Sequence, residues 1–331
     1  MRSRFQDLDP ALPQALPADA RHAQSVHCWS QQEIDALTLA DAVKRPLLVR
    51  GEPGTGKTQL ARAAAQHLGW ELQSVTIHPR FEAQDLIFHF DAVRRLADAQ
   101  ARNVLVDEDY YEPGPLWRAY GWESALRYGS CRGQQAPAGH VILIDEIDKA
   151  DSDLPNSLLE VLGQRSLWLA PLRRAIGGPE VTPPLIVITT NEERELPAAF
   201  MRRCVVLNLE PDPAVTYQRW LVDRGRAHFG NDSADPGFRR WLDEEVLWRA
   251  AAQLISDRRA AKDAGLILPG PAEYIDLLGG LWTLARDDKP QQLEWLDRLS
   301  AFAFVKNGVH EDQSALSQRR SPVDPLADPP A

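Results

Sequence analysis

The chain has 331 residues, of which 44% are hydrophobic and 25% charged, and its formal net charge is −10. This length accommodates two domains with separate cores, and the acidic balance argues against nucleic acid as the main partner. No apolar run approaches the ~18 residues of a membrane span and the first residues lack an apolar signal core, so we expect a cytoplasmic protein.

The first elements predict alternating strands and helices. Residues 1–30 are rich in Pro, Ala, Gln and Asp, which predicts a weakly ordered extension. A short helix over roughly residues 32–43 follows, and another helix ends at Gly69. Strands that alternate with helices indicate a parallel sheet covered on both faces. The predicted strands are Pro46–Val49, Leu72–Ile77, Val141–Ile144, Leu185–Ile188 and Val205–Leu209.

The hydrophobic pattern of the sequence changes after Pro211 and Pro213. Apolar residues then recur at helical spacing, first from Phe238 to Leu254 and again from Tyr274 to Ala285. We therefore predict an all-helical domain over residues 213–305. The residues from 306 to 331 have the composition of a disordered tail.

One motif directly after the first strand predicts a nucleotide site. It fits the phosphate-loop pattern G-x-x-x-x-G-K-[ST] at every fixed position. Glycines let successive backbone N–H groups face phosphate oxygens, and the N-terminus of the next helix favours anions. We expect Lys57 to reach the β- and γ-phosphates and Thr58 to ligate Mg²⁺. The predicted nucleotide-binding residues are Gly51, Glu52, Pro53, Gly54, Thr55, Gly56, Lys57 and Thr58.

Two further sets of polar residues follow predicted strands. Asp145 and Glu146 come directly after Val141–Ile144. Beside a phosphate loop, the first carboxylate suits a Mg²⁺ ligand and the second suits the base that activates water. Asn191 ends the fourth strand, where it is placed to orient the attacking water, although an asparagine that caps a turn is an alternative.

These three elements, in this order and followed by a helical domain, resemble the AAA+ ATPases over roughly residues 30–290. More narrowly, three stretches resemble the MoxR group: residues 45–58, residues 145–150 followed by 158–160, and residues 195–204. The resemblance implies an α/β P-loop NTPase domain over residues 31–212, with a five-stranded parallel sheet of order 5-1-4-3-2. It also implies an insert in the second helix around residues 86–112 and a helical lid over residues 213–305.

The resemblance also implies a function. It implies Mg²⁺-dependent hydrolysis of ATP between neighbouring subunits of a ring, usually of six. Arg203, or the adjacent Arg202, matches the arginine that reaches the γ-phosphate of the neighbouring subunit. The implied partner is a protein client, which in MoxR relatives is often a von Willebrand factor A domain protein.

The sequence departs from the family at one point and leaves other functions open. The stretch from Leu268 to Glu273 lacks the arginine that many AAA+ lids supply. Arg258, Arg259 and Lys262 are the candidates to replace it, but we expect the role to be missing and the coupling of the lid to the nucleotide to be weaker or differently arranged. A motor on DNA, like restriction-type relatives with the same insert, stays open, although the acidity disfavours it. A nucleotide-gated scaffold with weak hydrolysis also stays open as an alternative function. The preference for ATP over GTP follows from the resemblance alone, because no motif that recognises the base is evident.

Overall fold

The computed structural model describes residues 4–19, 22–101, 103–151, 154–162, 166–170, 173–211, 215–230 and 241–304. The chain divides into two compact units. The first comprises residues 1–9, 29–51 and 57–208, and the second comprises residues 10–28, 52–56 and 209–331. In chain order, the strands and helices are β1 Gln14–Leu16, β2 Ser25–His27, α1 Gln31–Val43, β3 Leu47–Arg50, α2 Lys57–Leu68, β4 Glu71–Thr76, β5 Phe88–Phe90, α3 Ala92–Gln100, β6 Tyr111–Pro113, α4 Pro115–Ala125, β7 His140–Asp145, α5 Leu154–Leu162, β8 Ser166–Leu169, β9 Arg174–Gly177, β10 Leu185–Thr190, α6 Ala198–Met201, β11 Val205–Asn208, α7 Tyr217–Phe229, α8 Glu244–Asp263, α9 Pro271–Ala285 and α10 Lys289–Phe304.

The first unit is built on a five-stranded parallel sheet with the order β11-β3-β10-β7-β4. Numbered along the chain as five core strands, this order is 5-1-4-3-2, as predicted. The central strands are apolar because both faces of the sheet are covered. Every residue from Val141 to Ile144 has no exposed surface, and the same holds for Val187 and Ile188.

The register of the sheet brings the carboxyl ends of its strands to one edge. Thr190 at the end of β10 lies opposite Arg50 at the end of β3. Thr76 at the end of β4 lies opposite Asp145 at the end of β7. Polar residues that follow these strands are therefore neighbours, although they are far apart in the sequence.

The insert expected around residues 86–112 forms a small layer of its own within the first unit. β5 and β6 pair antiparallel, with Phe90 opposite Tyr111. Between them lies α3, which Asp91 caps by accepting a hydrogen bond from the backbone N–H of Arg94 at 2.9 Å. None of the α3 residues is buried, and the side chains of Val93 and Leu96 are 81% and 61% exposed.

A second hairpin, which the sequence did not predict, precedes β10. Its strands β8 and β9 pair antiparallel, with Leu167 opposite Ile176 and Trp168 opposite Ala175. Leu167 and Ile176 are buried on one face of the hairpin, whereas Trp168 on the other face is 63% exposed. The alternation of buried and exposed residues over these four positions is typical of a short strand with one solvent-exposed face.

The second unit contains a helical core made by α7, α8, α9 and α10. The predicted stripes are its buried faces, and Val246, Leu254, Tyr274 and Leu278 have no exposed surface. None of the described helices combines the length and the apolar character that a membrane crossing requires. The predicted core residue Phe238 and the predicted disordered tail 306–331 lie outside the described residues.

The N-terminal extension contributes to this second unit. Residues 1–30 were expected to be weakly ordered, but β1 and β2 form an antiparallel pair in which Ala15 lies opposite Val26. Leu16 is 1% exposed and Val26 is 6% exposed. The burial of these apolar side chains, which composition alone did not indicate, accounts for the ordered pair.

Candidate functional site

The phosphate loop has the backbone that its glycines allow. Gly54 and Gly56 have φ values of +81° and +103°, in the left-handed region that favours glycine. A Cβ atom on Gly54 would also lie 2.6 Å from the Cβ atom of Ala272, a neighbour in the same unit. Helix α2 begins at Lys57, directly after the loop.

The buried side chain of Lys57 folds back over the start of this loop. Its Nζ atom donates a hydrogen bond to the carbonyl oxygen of Gly51 at 2.7 Å. Burial lowers the pKa of the Lys57 ammonium, while Asp145, Asp148 and other nearby carboxylates oppose that shift. The ammonium group therefore lies in an anionic environment at the carboxyl edge of the sheet.

Thr58 and Asp145, the two predicted metal ligands, are brought together. Thr58 Oγ1 lies 3.2 Å from Asp145 Oδ2 and 3.4 Å from Oδ1. A hydroxyl and a carboxylate are the hard oxygen donors that Mg²⁺ prefers, and Mg²⁺ usually completes its shell with water and phosphate oxygens. These two residues fit a Mg²⁺ site of the kind that accompanies a bound triphosphate.

Glu146, the predicted base, follows Asp145 in a left-handed conformation with φ of 60°. Its Oε1 atom lies 3.5 Å from Nδ2 of Asn191, so the predicted base and the predicted water-orienting amide are neighbours. Its Oε2 atom accepts a hydrogen bond from Lys149 Nζ at 2.6 Å. Glu146 raises the pKa of the Lys149 ammonium through this contact.

Three residues that organise this edge were not predicted as site residues. Thr189, which has no exposed surface, donates to Asp145 and accepts from the backbone N–H of Glu146. Asp148 binds the turn that contains Asn191, and Lys149 binds Glu146. The sequence signal was present, since all three lie within four residues of a predicted site residue. Their contacts, however, depend on the strand register.

The structure places Arg202 and Arg203 away from the other predicted catalytic residues of the same chain. β11 begins at Val205, which lies opposite Leu47 at the start of β3. Arg203 therefore precedes the amino end of the sheet, whereas Asp145 and Glu146 lie at its carboxyl end. The strand register therefore does not bring either arginine to the carboxyl edge of the sheet, where Asp145 and Glu146 lie.

Arg203 also lines a cavity of about 310 Å³ in the first unit. Asp41, Arg45 and Cys204 are among the other lining residues. Burial raises the pKa of the Cys204 thiol to about 11, so this thiol is protonated at neutral pH and is a poor nucleophile. The cavity is a mixed polar and apolar recess without an evident catalytic group.

In the second unit, Arg258 contacts the phosphate-loop residue Glu52, which belongs to that unit. Arg258 Nη2 donates to both carboxylate oxygens of Glu52, at 2.6 and 2.7 Å, and Nη1 donates to the carbonyl oxygen of Pro269 at 2.8 Å. Of the three residues considered as replacements for the absent lid arginine, Arg258 thus has a direct link to the loop.

Comparison with known proteins adds a family match and more distant likenesses. Residues 46–204 match the family model described as AAA domain (dynein-related subfamily). Origin of replication complex subunit 1 of Oryza sativa subsp. japonica is 29% identical over 144 residues, which are 41% of this chain and 16% of that protein. The match therefore spans only a small part of that relative's length.

Some solved structures are also distantly similar to this chain. One is the Thermotoga maritima RuvB Holliday junction branch migration motor, with a TM-score of 0.40 and 16% identity over 81% of this chain and 67% of that chain. Another is a candidate ATPase from Cytophaga hutchinsonii, with a TM-score of 0.39, 13% identity and coverage of 86% and 83%.

Proposed function

We propose that this protein, whose first unit has the AAA+ P-loop NTPase fold and whose residues 46–204 match an AAA domain, is a Mg²⁺-dependent ATPase. The observation that carries the proposal is one cluster at the carboxyl edge of the sheet. There Thr58 lies against Asp145, and Glu146 lies beside Asn191. This cluster joins the residues needed to hold a triphosphate and to activate water.

Nucleotide binding is assigned to the loop from Gly51 to Thr58. Its backbone N–H groups and the Lys57 ammonium bind the phosphate oxygens, and the N-terminus of α2 adds a field that favours anions. Thr58 and Asp145 would hold Mg²⁺, which would neutralise charge on the bound triphosphate. Arg258, which donates to both carboxylate oxygens of Glu52 in this loop, is the proposed replacement for the absent lid arginine.

Hydrolysis is assigned to Glu146 and Asn191. Glu146 accepts a proton from a water molecule whose oxygen forms a bond to the γ-phosphorus, while the bond from that phosphorus to the bridging oxygen breaks. The products are ADP and inorganic phosphate. Asn191 orients the water through its amide, and the 3.5 Å between its Nδ2 atom and Glu146 Oε1 supports a shared water-binding position.

The active form is a ring, commonly hexameric in AAA+ proteins, in which Arg203 or the adjacent Arg202 stabilises charge on the γ-phosphate of the neighbouring subunit. The position of Arg203 at the amino end of the sheet supports action in trans. We assign the ring a MoxR-type, chaperone-like role on a protein client, for which a von Willebrand factor A domain protein is a candidate. Exposed Val93 and Leu96 on the insert offer apolar surface for such a client.

A motor on DNA is the second candidate, because 144 residues of the chain are 29% identical to a subunit of a replication-origin complex. The formal net charge of −10 opposes it, since DNA binding relies on Lys and Arg that neutralise phosphates. Titration with duplex DNA at two salt concentrations separates the candidates. Tight binding that weakens steeply with salt favours the motor.

The proposal is tested by phosphate release from the full chain with ATP or GTP, with and without Mg²⁺. We expect Mg²⁺-dependent release with ATP, loss of nucleotide binding in Lys57→Ala, and retained binding without turnover in Glu146→Gln. Glu195→Gln, which changes an exposed glutamate outside the cluster, is the matched control. Wild-type turnover by Glu146→Gln would disprove the role of the base, and ATP binding without hydrolysis by the wild type would favour the scaffold.

The ring is tested separately by mixing inactive variants. Arg203→Ala and Lys57→Ala subunits should each be inactive, and mixtures should recover activity because some interfaces then combine an intact loop with an intact arginine. An absence of recovery in mixed rings of confirmed composition would exclude action of Arg203 in trans, and the same experiment with Arg202→Ala then tests its neighbour. The ATP-bound Glu146→Gln ring serves as bait for the client.

A further inference from the structure

The carboxylate of Asp148 connects the two loops that carry Glu146 and Asn191. Its side chain is buried, with 3% of the residue surface exposed. The Oδ2 atom accepts hydrogen bonds from the backbone N–H groups of Asn191 and Glu193, both at 3.1 Å. A single oxygen atom from the loop after β7 therefore holds both ends of the three-residue turn after β10.

Other contacts also hold this turn, among them a hydrogen bond that Arg194 Nη1, directly after it, donates to the carbonyl oxygen of Ala150 at 3.1 Å. Glu192, at the centre of the turn, is in the left-handed region with φ of 62°, which costs a non-glycine residue about 1–2 kcal/mol. Its backbone N–H donates to Thr190 Oγ1 at 3.0 Å, and its side chain forms an ion pair with Arg50. Both groups of that pair are partly exposed, so the ion pair contributes little.

We propose that Asp148 is a positioning residue that fixes Asn191 relative to Glu146 and so sets the rate of hydrolysis without touching the nucleotide. This inference rests on the proposed ATPase function. Rate enhancement from an oriented water depends on placement to within about 1 Å, and a misplacement of that size costs about 10²-fold. The two buried hydrogen bonds supply this restraint because they act on the backbone of Asn191 itself.

In this role Asp148 acts as a hydrogen-bond acceptor, and its negative charge is secondary. Both N–H groups donate to the same oxygen, so the carbonyl oxygen of an asparagine can accept both bonds. Burial lowers the pKa of the Lys57 ammonium, and the negative charge of Asp148 is one of the nearby charges that oppose this shift. Asp148→Asn removes this charge but keeps the acceptor, whereas Asp148→Ala removes both, so the pair of variants separates positioning from nucleotide binding.

The test combines these variants with Asn191→Ala in a double-mutant cycle. Asp148→Ala should lower kcat by about 10²-fold, while its dissociation constant for ATP should equal that of Asp148→Asn, because both variants lack the charge. Asp148→Asn should restore most of the turnover. Because Asp148 acts through Asn191, Asp148→Ala should cause no further loss in the Asn191→Ala background. An equal loss in both backgrounds would overturn the inference.

Two controls separate positioning from general destabilisation. Glu33 is also buried, at 1% exposed, and accepts a hydrogen bond from the backbone N–H of Ser30 at 2.6 Å. Glu33→Ala should lower the unfolding temperature but leave kcat unchanged. If Asp148→Ala does not fold, Asp148→Ser, whose hydroxyl is too short to span the same gap, takes its place in the cycle.

Amide hydrogen exchange decides the inference independently of activity. Asp148→Ala should speed exchange at the amides of Asn191 and Glu193, while Asp148→Asn should preserve their protection. Unchanged exchange at both amides in Asp148→Ala would overturn the inference even if turnover fell. A wild-type protein that binds ATP but does not hydrolyse it would instead refute the proposed function, and the exchange data would still show whether Asp148 holds the turn.

Discussion

The hydroxyl group of Thr189 donates a hydrogen bond to Oδ1 of Asp145 at 2.5 Å. The hydroxyl oxygen of Thr189 also accepts a hydrogen bond from the backbone N–H of Glu146 at 2.9 Å. One buried side chain of β10 therefore orients both the proposed metal ligand and the backbone of the proposed base at the end of β7. Such contacts to the residues that hold a metal ion are known to tune its affinity.

Replacement of Thr189 by valine keeps the shape of the side chain and removes both hydrogen bonds. We expect Thr189→Val to lower kcat about 10-fold to 100-fold and to raise the Mg²⁺ concentration needed for half-maximal turnover, because Asp145 loses its orientation. Phosphate release measured over a Mg²⁺ titration checks this. Thr189→Ser, which keeps the hydroxyl, is the control, and a valine variant with a wild-type Mg²⁺ titration would refute the role.

Lys149 shares the carboxylate of Glu146 with the water that this base is proposed to activate. The ion pair is partly exposed on both sides, so its contribution is about 0.2–1 kcal/mol. We expect Lys149→Met to raise kcat by about twofold to fivefold, since Oε2 of Glu146 is then free to accept a proton.

Steady-state turnover compared with Lys149→Arg, which keeps a cation in place, measures this effect. The arginine variant should stay near the wild-type rate. A decrease in turnover for Lys149→Met would instead mean that the cation supports catalysis.

Gly54 is a phosphate-loop position without room for a side chain. Its φ is +81°, and an added Cβ atom would lie 2.6 Å from both the Cβ and the backbone N atoms of Ala272. We expect Gly54→Ala to weaken ATP affinity by at least about 10-fold, because the loop must shift and its N–H groups lose their common direction.

The matched control for this loop variant is Gly69→Ala. Gly69 also has a positive φ, +63°, but nothing lies within 4 Å of an added Cβ atom. Its alanine variant should lose about 1–2 kcal/mol of stability without a change in ATP affinity. Equal ATP affinity of the two variants, measured by titration with a fluorescent ATP analogue, would contradict the role of close packing.

We expect His27 to make the stability of the second unit depend on pH. It is 4% exposed, and burial, with smaller contributions from Arg224 and His228, lowers its pKa from 6.5 to about 3. The neutral form is thus favoured in the folded state. The contribution of neutral His27 to the free energy of unfolding is fully present above pH 6.5. It is lost as the pH falls toward 3, by up to about 1.4 kcal/mol per pH unit.

Thermal unfolding followed between pH 7 and pH 4 checks this dependence. His27→Gln should have a shallower decline than the wild type in this range, because the unfolded chain then gains no proton at this position. His89→Gln, which changes an exposed histidine, should decline as the wild type does. Parallel curves for the wild type and His27→Gln would refute the assignment.

The sequence predicted those features whose cause is local. Apolar runs such as Val141–Ile144 indicate buried strands because every residue faces a covered side, and the glycine pattern before Lys57 reports backbone geometry directly. The strand order, in contrast, followed from the family resemblance. It then placed Thr58 near Asp145, as the structure has it.

The features that were missed depend on contacts between distant parts of the chain. Asp148 and Asn191 are 43 residues apart, so their hydrogen bond exists only once β7 and β10 are in register. The hairpin β8–β9 has strands of four residues, too short for a clear alternation. The pairing of β1 with β2 was also missed. It buries Leu16, and the polar, proline-containing composition of this segment does not indicate a buried residue.

The hairpin β8–β9 also gives the protein an intrinsic optical reporter. All ten tryptophans of the chain lie within the part that the structure describes, and Trp168 is the one whose side chain is mostly in contact with solvent. Its fluorescence should emit at the longest wavelength of the set and be the first to be quenched by acrylamide. Any molecule that covers this hairpin will shift that emission to the blue, without a label and without an assay for turnover.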